Sequence, residues 1–144
     1  PKAVVAATDK PKAKKESKAA KAAAAPGFGF DIQIVGCPIV REEDGLAKSS
    51  RNTYLSCEER KAALCLSKAV KKGQELIRNG IAASEVLEPM CEIINGEPLA
   101  HIDYVSMVDA LSMQPVDSVN ADVLVAMAVY IGKTRLIDNF SYEV

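Results

Sequence analysis

The 144-residue sequence predicts an α+β fold: a small antiparallel sheet with two main helices, preceded by a disordered basic N-terminal tail. Three observations predict it. Residues 1–27 are mostly alanine, lysine and proline, with ten, seven and three of each. Two segments, 57–79 and 85–95, repeat apolar residues at the three-to-four spacing of a helix. Extended apolar stretches follow them, and helices grouped ahead of strands belong to an α+β domain rather than to alternating βαβ units.

The tail carries seven lysines against Asp9 and Glu16, while the rest of the chain holds 11 basic and 17 acidic residues. The net charge of −1 therefore conceals a basic tail joined to an acidic unit. Val4 and Val5 are the tail's only larger apolar residues, too few to offset the entropy of ordering it. Residues 17–25 favour helix, but so short a helix is marginal alone, and Pro26-Gly27 ends it. The apolar stretch of a secretory signal is missing. A solvated linker is the expected role, with a targeting remnant or a polyanion contact as alternatives. The acidic remainder offers no basic face to extend a nucleic-acid footprint, so no nucleic-acid partner is expected. The division is 1–27 as linker or tail and 28–144 as folded domain.

Residues 30–35 alternate apolar and polar side chains as in a short strand, which stops at Gly36-Cys37-Pro38. Residues 39–41 are a second extended stretch, and 42–47 a polar loop turning at Gly45. Ser56-Cys57-Glu58-Glu59 is a capping box, in which serine and glutamate each satisfy an amide at the helix start. In the helix over 57–79, Ala62, Leu66, Ala69, Val70, Gly73, Leu76 and Ile77 share one face, and Asn79-Gly80 stops it. Ser84 is positioned to cap a second helix with Val86, Leu87, Met90, Ile93 and Ile94 on its apolar face. Pro89 conflicts with its interior, so that helix is either kinked or begins later than Ser84. Residues 102–108 read as a strand, and 116–119 as a short one. Residues 123–131 are apolar throughout, as in a strand covered on both faces. Gly132 breaks that run, and 135–139 continues extended.

Composition excludes several functions. The longest apolar run has nine residues, against about 20 for a spanning helix, so no membrane partner is expected. The four cysteines (37, 57, 65 and 91) form no C-x-x-C pair, and His101 is the one histidine. This is neither zinc-ligand spacing nor a disulfide framework. The expectation is reduced thiols in a cytoplasmic setting and no metal-ligating residues. His101 opens a predicted strand and reads as structural rather than catalytic.

The chemistry-bearing stretch is Asp44-Gly45-Leu46-Ala47-Lys48-Ser49-Ser50-Arg51-Asn52. Serine hydroxyls donate to phosphate oxygens without adding charge, and arginine offers a planar fork matched to them. Lys48 could add a second cation. Alone, this is also the pattern of a plain polar loop.

Its context is more specific. Ile34-Val35-Gly36-Cys37-Pro38-Ile39-Val40-Arg41-Glu42-Glu43-Asp44-Gly45-Leu46-Ala47, then Ser49-Ser50-Arg51-Asn52, Tyr54-Leu55-Ser56 and Glu59-Arg60, closely resembles the pantothenate synthetase (pantoate–β-alanine ligase) family. Asp103-Tyr104-Val105, Val108-Asp109 and Gly132-Lys133-Thr134-Arg135-Leu136-Ile137-Asp138-Asn139 agree in the same order. The resemblance covers about residues 28–144, the C-terminal part of that family. It implies an ATP- and Mg²⁺-dependent ligase that activates pantoate as an adenylate and transfers the acyl group to the amine of β-alanine. On the family pattern Ser49, Ser50 and Arg51 contact the ATP phosphates, and Val40 and Lys48 meet the nucleotide mainly through backbone. No catalytic residue is assigned within this chain. The family's position 48 is usually apolar, and Cys57 stands where proline is common. The family's H-x-G-H motif lies in an N-terminal nucleotide-binding domain and has no counterpart here. The expectation is therefore a C-terminal piece, inactive alone, whose partner is that domain and whose complete enzyme is a homodimer. The rival expectation is a non-catalytic truncated relative serving as an interaction or regulatory module.

Overall fold

The computed structural model describes residues 37–144. The tail over 1–27 and the strand expected at 30–35 lie outside the described residues. The element order is a 3₁₀ turn (Ser50–Tyr54), α1 (Cys57–Ala62), α2 (Leu64–Leu76), α3 (Ala83–Asn95), β1 (Ala100–Asp109), β2 (Val123–Ile131) and β3 (Thr134–Tyr142). The strands form one antiparallel sheet in the order β1-β2-β3, so the α+β reading holds.

The capping box at Ser56 is present: Glu59 N–H donates to Ser56 Oγ at 3.2 Å and Ser56 N–H to the Glu59 carboxylate at 2.8 Å. The single helix expected over 57–79 is instead broken at Ala63 and ends at Leu76. Fully buried Ala63 accepts a tightened bond from Leu66 N–H at 3.2 Å, an i→i+3 contact of the 3₁₀ kind. At its far end Ile77 turns to extended backbone, and Gly80 adopts a φ of +79°. The second helix does not begin late: α3 starts at Ala83 and carries Pro89 inside it. Ser84 is not its cap. The Glu85 carboxylate accepts the Ala82 N–H at 3.4 Å instead. Residues 116–119 are not a strand of the sheet. They run beside the α3 entry, with Ala83 N–H bonded to Asp117 O at 2.8 Å and Val119 N–H to Ile81 O at 2.9 Å.

The core lies between the helices and one sheet face. Leu66, Ala69 and Val70 of α2, and Val86, Met90 and Ile94 of α3, pack with Val123, Val125, Met127, Val129 and Ile131 of β2. Burying aliphatic side chains of this size contributes roughly 1.5–3 kcal/mol each. The expectation that both faces of β2 are covered is corrected. On the other face Leu124, Ala126 and Tyr130 are only half-buried; the small Ala128 is buried, but its partners on either side, Tyr104 and Ile137, are exposed.

Candidate functional site

Residues 41–47 fold into a closed turn. Arg41 bridges Ala47, Glu42 N–H donates to Leu46 O at 2.8 Å, and Lys48 N–H donates to Val40 O at 2.9 Å. Gly45 sits at a φ of +93°, which glycine adopts without a side-chain clash. Leu46 drops into the core, so an apolar anchor holds the polar loop.

Ser49 opens the 3₁₀ turn, its oxygen accepting the Arg51 N–H at 3.2 Å. That leaves the Ser49 hydroxyl proton free to donate outward. Lys48, Ser49, Ser50 and Arg51 are all exposed, as is Val40. Among the described residues the Arg51 guanidinium makes one bond, to Arg135 O at 3.4 Å, which leaves its fork open to an anion. Lys48 Nζ stands 3.8 Å from the Glu42 carboxylate, an exposed pairing of little strength.

The loop and β3 face each other across a cavity of about 250 Å³. Lys48, Ser49, Arg51 and Asn52 line one side, and Arg135 and Asp138 belong to the other. The structure thus brings four of the five expected site residues close together: Lys48, Ser49 and Arg51 line the cavity, and Ser50 lies beside them in the same turn. Val40 lies outside the lining but is tied to Lys48 by the backbone bond above. Asn52 donates to Ala47 O at 3.0 Å, while its buried Oδ1 has no hydrogen-bond partner among the described residues.

Sequence reading missed the β3 side of this site. Arg135 pairs with Asp103 at 2.7 Å and lies 6.0 Å from the Tyr104 ring centroid. Asp103 falls at a β-bulge between Ile102 and Tyr104, a device that re-aims a side chain. Asp138 is buried and receives both arms of the Arg41 fork, at 2.7 and 2.9 Å. The bonds to Asp138 hold the Arg41 pKa above its ordinary value, against the lowering by burial. A signal for Asp138 existed: Leu136, Asp138 and Phe140 alternate onto the inward face of β3.

The fold and the site define an α+β domain that presents a serine–arginine loop beside the outer strand of a three-stranded sheet. The family model for pantoate-β-alanine ligase matches residues 24–141, and the chain belongs to that family. A pantothenate synthetase of Ruminiclostridium cellulolyticum is 59% identical over 116 residues, covering 80% of this chain and 41% of that protein. One from Clostridium botulinum strain Langeland is 53% identical over 117 residues, covering 81% and 42%. The crystal structure of pantothenate synthetase from Thermus thermophilus matches with a TM-score of 0.72 at 38% identity, over 78% of this chain and 41% of that one. The chain thus spans about two fifths of the length of these relatives. Among the described residues no helix is long and apolar enough to cross a membrane.

Proposed function

We propose that this chain supplies the phosphate-binding loop of an ATP-dependent pantoate–β-alanine ligase and works with an N-terminal nucleotide-binding domain. One observation carries the reading: Ser49, Ser50 and Arg51 stand exposed together on a loop anchored by Leu46 in the core and by Arg41 on β3. Their donors suit the leaving pyrophosphate, where negative charge accumulates as the pantoate carboxylate attacks the α-phosphorus. Arg51 grips two oxygens through its fork, and the serine hydroxyls donate to others. Val40 and Lys48 offer backbone to the nucleotide, and the Val40 carbonyl keeps a lone pair beyond the one used by Lys48 N–H. Mg²⁺ would accompany the triphosphate. Among the described residues no group of three or more His, Cys, Asp or Glu side chains could hold it.

The test is reconstitution. The chain is mixed with the N-terminal portion of the R. cellulolyticum enzyme, ATP, Mg²⁺, pantoate and β-alanine, and AMP and pantothenate are measured. The expected outcome is product from the mixture and none from either part alone. A folded mixture that makes no product favours the rival reading, a non-catalytic interaction module.

A further inference from the structure

We propose that Arg41 and Asp138 form a positioning pair that fixes the aim of Ser49, Ser50 and Arg51 by latching the 40–51 loop onto β3. What the loop aims at rests on the phosphate reading above, but the latch itself stands on geometry. Asp138 is 2% exposed and lies on the helix-facing side of the sheet. Its two oxygens take both arms of the Arg41 fork, at 2.7 and 2.9 Å, across 97 residues of sequence. One Asp138 oxygen also accepts the Asn139 N–H at 2.8 Å, so the carboxylate cannot swing freely. The same Arg41 nitrogen that meets Asp138 donates to Gly45 O at 3.0 Å. A single guanidinium therefore ties the start of the turn, its apex and the sheet together.

The other links from this turn are of different kinds. Leu46 supplies burial, which is not directional. The Asp44–Arg60 pair, at 2.8 Å, is substantially exposed on both sides, where such pairs contribute little. Asn52 Nδ2 holds Ala47 O at 3.0 Å within the loop, and exposed Arg51 reaches Arg135 O at 3.4 Å, but among the described residues the Arg41 fork is the two-pronged link from the turn to a buried carboxylate of the sheet. Stability is a poor explanation for it: Asp138 is buried while the Arg41 side chain stays partly exposed, and well-packed apolar residues often replace a buried ion pair at no loss. A bidentate pair does what an apolar contact cannot: it fixes register and angle. Lys48 and the three proposed phosphate ligands follow directly, and donors held in place before the reaction need no reorganisation during it.

The test uses the full 144-residue chain and the double variant Arg41→Met/Asp138→Leu. Three quantities are read: thermal midpoint, amide hydrogen exchange by NMR, and the Kd for inorganic pyrophosphate. The midpoint should stay within a few degrees of the parent. The Glu42 and Lys48 amides, which close the turn, should exchange about tenfold faster, while Val125 and Met127 in β2 are unchanged. The pyrophosphate Kd should rise about tenfold. A merely structural pair predicts parent affinity once stability is restored, and that result overturns the proposal. Unchanged exchange at Glu42 and Lys48 overturns it as well. If the double variant does not fold, Asp138→Asn, which retains one acceptor, is read in the same way and must show the same faster loop exchange. If the parent chain itself fails to bind pyrophosphate, the phosphate reading fails, and the exchange rates alone decide the latch.

Discussion

Gly132 has a φ of +56°, and a Cβ there would run into the Glu59 carboxylate. That carboxylate is the one closing the Ser56 capping box, so the β2–β3 turn and the start of α1 share a residue. Gly132→Ala should destabilise the fold by about 2 kcal/mol, from backbone strain and a disturbed cap. Because both changes act on the Glu59 carboxylate, Gly132→Ala and Glu59→Ala should be less than additive in chemical denaturation; full additivity would separate turn from cap. The cap was legible, since Ser56 and Glu59 lie three apart. Its contact with Gly132 was not, because no local pattern encodes a tertiary approach. Cys65 is a second case. Burial is the main cause pushing its thiol from 9.0 up to about 11. The folded chain thus holds that proton more tightly than the unfolded one, a contribution that is full below pH 9 and lost as pH rises towards 11. At pH 8 iodoacetamide should label exposed Cys57 well before Cys65; equal rates would mean that Cys65 is accessible.

At the scale of elements, α2 meets α3 and β3 at Gly73. A Cβ built there would lie 2.6 Å from Met90 Sδ and 2.8 Å from the buried Phe140 ring. Alanine normally gains up to about 1 kcal/mol over glycine inside a helix. Here overpacking against Phe140 should outweigh that gain, leaving Gly73→Ala about 1 kcal/mol less stable. A raised urea midpoint would show that Met90 and Phe140 yield freely. Helix faces were readable because Leu66, Ala69, Val70 and Gly73 recur at helical spacing. Helix ends were less so. The break at Ala63 and the stop at Leu76 have no local punctuation, and Ala82 caps α3 only through the reach of Glu85. The β2 run looked covered on both faces because apolar sequence reports composition, not which face a neighbour covers.

At the scale of the molecule, the serine–arginine side of the site was legible as a contiguous motif. The β3 side was not, because Arg135 and Asp138 stand far along the chain from the loop, brought close by the hairpin and the core. Residues 1–27 carry only Val4 and Val5 as larger apolar side chains, too few for packing, so their deletion should shift the thermal midpoint by less than a few degrees; a larger fall would mean that the segment packs. The central claim, that this chain brings the phosphate-gripping loop to the ligase reaction, is tested most directly by pre-steady-state, pantoate-dependent pyrophosphate release. The chain is reconstituted with the R. cellulolyticum N-terminal portion, with Arg51 or Lys48 substituted. Arg51→Ala should slow release about 100-fold, the roughly 3 kcal/mol that a charged transition-state donor contributes, while ATP still binds. Arg51→Lys should recover part of the rate, and Lys48→Met should stay within a few-fold of the parent. An Arg51→Ala rate within a few-fold of the parent, or a loss from Lys48→Met as large as that from Arg51→Ala, would contradict the assignment.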